Sequence, residues 1–215
     1  MNPRKVQSKR RYLFAFIIGT LIFLIGFAFT HMVAYLEFQR IMSIQDPTSY
    51  KIFQDKLQYT LFGGDICSED AYLEISRDLS SQGQIIGDLE TKLGKDNPDV
   101  LFRKKFYTLV QVEHFEFVNM INKECNKKIN TILFFYSNKE ADLDNSERLG
   151  DILGSVYQRN RDDLVLYSID LNLDSEVTRS LKQKYDLGEE SVVIVNEDQK
   201  FTKINNIDEV EQYLR

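Results

Sequence analysis

The chain contains no Trp, three Pro, two Cys and two His in 215 residues. So few Cys and His could make one four-ligand zinc site only if all four converged, and His31 sits inside an apolar run, so Cys/His zinc chemistry is not expected. All three prolines fall at or before Pro98, and nothing beyond it can form a cis-proline turn. Neither GxxxxGK[ST] nor GxGxxG occurs, which removes the usual phosphate-cradling loops. Hydrophobic residues make up 43% and charged residues 28%, which excludes wholesale disorder, collagen and a polytopic transporter. A net charge of −6 and a pI of about 5.1 argue against nucleic acid as a partner.

No acidic residue precedes Glu37. Residues 1–11 carry Arg4, Lys5, Lys9, Arg10 and Arg11, and residues 12–36 have no charged side chain. As a helix, residues 12–36 would be about 37 Å long, enough to cross a hydrocarbon core of about 30 Å with some tilt. Tyr12 and Tyr35 lie near the two expected interfaces. The run is too long for a signal-peptide core, and residues 29–35 make a poor cleavage exit, so an uncleaved anchor in contact with membrane lipid is expected. His31 lies near the outer end, where it can reach the interface. The basic block predicts a cytoplasmic N-terminus, with residues 37–215 extracytoplasmic, in keeping with a prokaryotic cell membrane. Five of the 27 Lys and Arg precede residue 12, none lies in 12–36, and all 33 Asp and Glu lie beyond, so residues 37–215 hold 22 basic against 33 acidic groups, net −11. An anionic membrane surface would repel that body.

Residues 37–126 read as a helical stalk. Asp46 and Pro47 mark a break and restart, and residues 62–65 a turn. A helix is predicted from about Ser68, with Tyr72, Ile75, Leu79, Ile86, Leu89 and Leu93 on one stripe interrupted near Gln82 and Gly83. Residues 94–98 end it. A second helix over 99–123 carries Phe102, Phe106, Leu109, Val110, Phe117, Met120 and Ile121 as one stripe. Val112 and Phe115 lie off that stripe and predict a further packing partner, another element or another protein. Arg103, Lys104 and Lys105 read as an exposed basic cluster, Glu113 and Glu116 as a solvated face, and His114 as a surface or partner-facing residue. Cys67 and Cys125 flank the two helices at equal distance from residue 96 in the turn. Equal arms of an antiparallel hairpin return both sulfurs to one level, which favours a disulfide in an oxidising exterior. Such a bond stabilises by about 4 kcal/mol on the chain-entropy model. Two separate buried thiols, or a redox-active pair, are the alternatives.

Residues 130–215 alternate apolar runs with helical segments in the order β-α-β-α-β-β-α: strands at 131–136, 164–171, 191–195 and 200–204, and helices at about 146–159, 175–186 and 207–214. Asp144 with Glu147, Asp174 with Ser175, and Asn206 are the expected caps. Gly150 and Gly154 suggest close packing on a sheet. A βαβ crossover followed by a hairpin and helix gives an α/β sandwich.

In this stretch the chain resembles the thioredoxin family, through Ile132 to Ser137, Tyr167 to Asn172, Leu181 to Leu187 and the closing hairpin 191–204. The whole therefore reads as an α/β thioredoxin-like C-terminal domain preceded by a long antiparallel α-helical hairpin and an N-terminal transmembrane helix. The family's oxidoreductases carry Cys-x-x-Cys after the first strand and a cis-proline before the third. Here those places hold residues 137–144 without Cys and residues 188–191 without Pro, so dithiol exchange by this domain has no chemical basis. The resemblance implies a face that docks protein or peptide, built from Ser137, Asn138, Lys139, Glu140 and Asp142 with Glu189, Glu190 and Ser191.

No catalytic residue, metal ligand or cofactor is expected. The leading expectation is a membrane-anchored binding or scaffold protein with a redox-inactive thioredoxin-like domain, working through a protein partner or self-association of the hairpin. One alternative is an envelope thiol-disulfide exchange protein using Cys67 and Cys125. The other is a homo-oligomeric structural protein assembled through the hairpin.

Overall fold

The computed structural model describes the backbone of residues 9–62, 67 and 69–214, and the side chains of residues 11–36, 39, 67 and 75–214. It divides into two units, Met1–Ser43 and Ile44–Arg215.

In the first unit the apolar run is helical, as part of α1 (Lys9–Phe62). Arg11–Leu36 is long and apolar enough to cross a membrane, and none of its most apolar window is buried. Large side chains such as Phe16 and Phe23 are 72% and 70% exposed. A helix apolar on every side and long enough to span a bilayer is suited to lipid. Thr30 returns its hydroxyl to the Gly26 carbonyl (3.0 Å), which satisfies that donor inside the run. The break expected at Asp46 and Pro47 is not a helix end, since α1 continues through it. Proline removes one donor and crowds the carbonyl four residues back, which weakens a ladder without having to end it. The boundary between the units falls at Ser43, the residue whose carbonyl Pro47 leaves without its helical donor.

In the second unit α2 (Glu69–Leu93) and α3 (Pro98–Cys125) are joined by residues 94–97. Gly94 has φ +92°, a backbone state that a Cβ would strain, and Asn97 caps α3 by accepting from the Asp99 amide (2.9 Å). Glu90 meets Lys104, the Tyr107 hydroxyl donates to the Leu79 carbonyl (3.0 Å), and Cys67 bonds Cys125 (S–S 2.05 Å). On α2, Ile75, Leu79, Ile86 and Leu89 are buried, and Gln82 continues the stripe that was expected to break there. Leu93 is 37% exposed, and Tyr72 lies outside the described side chains.

The stripe expected on α3 is rotated. Phe102 and Leu109 are 62% and 47% exposed, while Arg103, Lys104, Thr108, Gln111 and His114 are buried beside Val110, Phe115 and Phe117. The reading of Arg103 and Lys104 as solvated, and of His114 as a surface residue, is therefore corrected. The reason is that α3 is covered on two sides, by α2 and by the sheet, and its second buried face is polar.

The sheet contains β1 (Asn130–Tyr136), β2 (Leu164–Asp170), β3 (Val192–Val195) and β4 (Gln199–Phe201), in the order β2-β1-β3-β4. β1 runs parallel to β2, with Ile132 opposite Leu166, and antiparallel to β3, with Phe135 opposite Val192. Side chains alternate across the sheet, so β1, covered on both faces, reads as an unbroken apolar run. Leu133, Phe135, Tyr167, Ile169 and Ile194 join the core under α2, α3 and α5 (Glu176–Lys184). Ile132, Phe134, Leu164, Val193 and Val195 join the core under α4 (Leu143–Asn160) and α6 (Asp208–Glu211). Phe115, which the sequence left without a partner, stands edge-on to Tyr167 (centroids 5.6 Å, 83°), an arrangement that contributes about 0.5–1.5 kcal/mol beyond burial.

Two of the expected caps form. Ser175 accepts from the Thr178 amide (3.1 Å) and Asn206 from the Glu209 amide (3.1 Å). The cap at Asp144 does not form, because α4 begins earlier, after a short 3-10 turn at Glu140–Asp142. A Cβ at Gly150 would meet Phe134 at an ordinary 3.7 Å and one at Gly154 would have nothing within 4 Å, so neither glycine is required for close packing.

Candidate functional site

The two loops expected to form a docking face are adjacent. β1 delivers Ser137, fully buried, to the turn that follows, and Ser191 precedes β3 next to it. The Ser137 amide donates to Ser191 Oγ (3.0 Å), and both the amide (2.6 Å) and the hydroxyl of Ser191 donate to Asp142. Partial burial pushes the Asp142 carboxyl up, but the Ser191 and Asn145 donors outweigh it and hold the group below the usual carboxylate range. Asn138 accepts from Lys95 through Oδ1 (3.1 Å), donates its amide to Asn172 Oδ1 (2.6 Å) and its Nδ2 to Asp170 (2.8 Å). Lys139 pairs with Glu189 (2.9 Å) in the open, where such a pair adds little. Glu140 and Glu190 are exposed. The hydroxyls of Ser137 and Ser191 are bound into this network, and neither has the imidazole partner that would make it a nucleophile.

Sequence reasoning missed the residues beneath this face. Lys104, 4% exposed, donates to both Asp170 and Glu90. Asp170 also accepts from the Asn172 amide (2.8 Å). Burial alone would push the Lys104 ammonium down; the neighbouring Tyr136 oxygen, Asp170 and Glu90 outweigh it and hold it above the ordinary lysine range. At neutral pH the two carboxylates supply that pull, because burial pushes the Tyr136 phenol up and keeps it protonated. Burial does the same to Tyr107 and Tyr167. The Tyr167 hydroxyl lies 2.9 Å from His114 Nδ1. With its amide nitrogen turned toward the carbonyl, Gln111 donates to Ser168 O and accepts from Ser168 N, both at 3.1 Å. The signal was the spacing 104, 108, 111, 114/115, 118 along α3. It is visible only if Val100, Val110 and Phe117, rather than Phe102 and Leu109, set the phase of the helix.

A cavity of about 290 Å³ lies between α2, α3 and β2. Lys104, Glu90 and Asp170 stand on its lining with Tyr107, Tyr136 and Tyr157, and Ser76, Ser80, Gly83 and Gly87 line it from α2. Among the described residues no group of three His, Cys, Asp or Glu could hold a metal ion. Cys67 and Cys125 are joined by their disulfide rather than gathered at this site, which sits toward the other end of α3. No protein-family model, curated protein or solved structure matches the chain.

Proposed function

We propose that the protein is a membrane-anchored binding or scaffold protein, with residues 37–215 on the extracytoplasmic side. In this reading α2 and α3 are an antiparallel hairpin stapled by Cys67–Cys125. They back a thioredoxin-like domain that holds a ligand or partner and does no thiol exchange. The observation that carries the reading is the Ser137–Ser191–Asp142 network. At the place where a thiolate would be generated, the Ser191 hydroxyl accepts from the Ser137 amide and donates to the Asp142 carboxylate, while the Ser137 hydroxyl donates to Asn172 Oδ1 (3.4 Å). The mixed sheet with β3 antiparallel to β1, the helices on both faces and the charge-free run 12–36 behind a basic block support it further.

Exchange through Cys67 and Cys125 is less well supported. The 28 residues of α3 extend over about 40 Å. They put Cys125 at one end and, at the other, the turn whose Lys95 touches Asn138, so the docking loops could not present a substrate to that disulfide. Self-association keeps one specific support in the exposure of Phe102 and Leu109 on α3.

The test is intact mass of the full chain after alkylation in denaturant, with and without reductant, combined with labelling of intact cells by a membrane-impermeant amine reagent. Two cysteines that react only after reduction, with residues 37–215 labelled from outside, are the expected result. Two freely reacting thiols, or a body labelled only in broken cells, would overturn it.

A further inference from the structure

The cavity between α2, α3 and β2 is smaller than most small-molecule sites, which run from about 300 to 1,000 Å³. Its charge is unbalanced: Glu90 and Asp170 face the single ammonium of Lys104, a net −1 in partly buried surroundings. Asp170 spends its oxygens on Lys104, Asn138 and the Asn172 amide. Glu90 spends one, Oε1, on Lys104. Its side chain is 18% exposed on the cavity lining, and Oε2 has no partner among the described residues. Tyr107, Tyr136 and Tyr157 add aromatic surface of the kind that attracts a desolvated cation. One turn before Glu90, Gly87 has nothing within 4 Å of a Cβ. Alanine would favour the helix there by about 1 kcal/mol, so packing does not require the gap.

We propose that this cavity binds a guanidinium or ammonium head on a slender apolar stem, with the head at Glu90 Oε2 and the stem among the tyrosines. The head comes from a free organic cation or from an Arg or Lys side chain of a partner. This deepens the binding reading above by naming the chemistry of what is bound, and it does not depend on which side of the membrane the body occupies.

The oxidised full chain in detergent micelles is titrated calorimetrically with n-butylguanidinium, with its uncharged isostere n-butylurea, and with acetyl-Gly-Arg-Gly-amide. Saturable one-to-one binding of butylguanidinium is expected, at least about ten-fold tighter than butylurea, since one charge-assisted hydrogen bond decides between them. Glu90→Gln should weaken it about ten-fold. Gly87→Leu, which places a side chain in the open space, should abolish it without lowering the melting temperature. If the peptide binds more tightly than butylguanidinium, the source is a partner's side chain; if less tightly, a free cation; both support the site. No saturable binding, equal affinity for the urea, or binding unchanged in both variants would overturn it. Free thiols in the alkylation experiment would sink the exoplasmic reading without altering what this titration says about the cavity.

Discussion

Lys104→Met keeps the apolar stem, removes the ammonium and leaves two carboxylates facing each other. Breaking a buried ion pair by deleting one partner costs about 3–5 kcal/mol. The lower part of that range is expected here, because Asp170 retains the Asn138 and Asn172 donors and Glu90, 18% exposed, can turn one oxygen to water. For a chain of this size about 1 kcal/mol moves the melting temperature by about 2–4 °C, so the oxidised full chain in detergent should melt roughly 6–12 °C lower at pH 7. Added salt should change the difference little, since the pair is buried. Asp170→Asn in the Lys104→Met background should recover part of the loss, giving a coupling of about 1.5–3 kcal/mol in the double-mutant cycle. The pH arm follows from the raised Lys104 pKa. The stabilisation is complete below the unfolded lysine value of about 10.4 and is lost as pH rises past it toward the higher folded value. The phenols of Tyr107, Tyr136 and Tyr167, also raised, lose stability in the same direction. The wild type should therefore fall toward Lys104→Met above about pH 10 while both decline. A shift under about 2 °C at pH 7, or strict additivity in the cycle, would refute the argument that this triad is a coupled buried unit.

Gly83 and Gly87, about one turn apart on α2, should respond oppositely to alanine. At Gly83 a Cβ would lie 2.8 Å from the Tyr107 hydroxyl that bonds Leu79, so Gly83→Ala should cost about 1–2 kcal/mol. Gly87→Ala should instead stabilise by about 0.5–1 kcal/mol, and thermal melts of the two variants decide. Replacing both Cys67 and Cys125 by Ser opens a loop of 58 residues and should cost about 4 kcal/mol on the chain-entropy model, with reductant lowering the wild-type melt by a similar amount and the variant's not at all. Asp142→Asn should weaken the hold on Ser191 by no more than about 1 kcal/mol, because the carboxylate is partly in water. Asp142 has a lowered pKa, so its contribution is present above the ordinary carboxylate range and lost as pH falls through the lowered value; melts of variant and wild type should converge in acid.

The elements legible in the sequence are those whose periodicity has a single cause. The unbroken run 132–136 announced a strand covered on both faces, and the charge-free run 12–36 a helix long and apolar enough to cross a membrane. The pairing of Cys67 with Cys125 followed from equal arms about one turn, and Ser175 and Asn206 cap where their side chains predict. α3 was misread because it answers to two neighbours at once. Phe102 and Leu109 gave a clean apolar period that the fold leaves in the open, whereas Lys104, Gln111 and His114 look solvated until β2 is placed beneath them. Asp142 was read only as part of a docking loop, and the approach of Ser191, far away in sequence, turns it into a tie between loops.

Why the buried face of α3 is polar follows from what it covers. β2 is the edge of the sheet on that side, and an edge strand leaves every second residue's amide and carbonyl without a strand partner. Ser168 is such a residue, and the Gln111 amide meets both its groups as a neighbouring strand would. Two residues further, at the strand's end, the Asp170 side chain takes Lys104 from the same helix, and Tyr167, just before Ser168, meets His114. An apolar helix could have covered the side chains of β2 but would have stranded its backbone. The polar stripe lets α3 do both, and it fixes α3 in register along the strand, because each polar pair is satisfied at one position only. That register is what holds Glu90 and the cavity wall of α2 at a set distance from β2, so the same residues that close the sheet's edge also shape the space beside it.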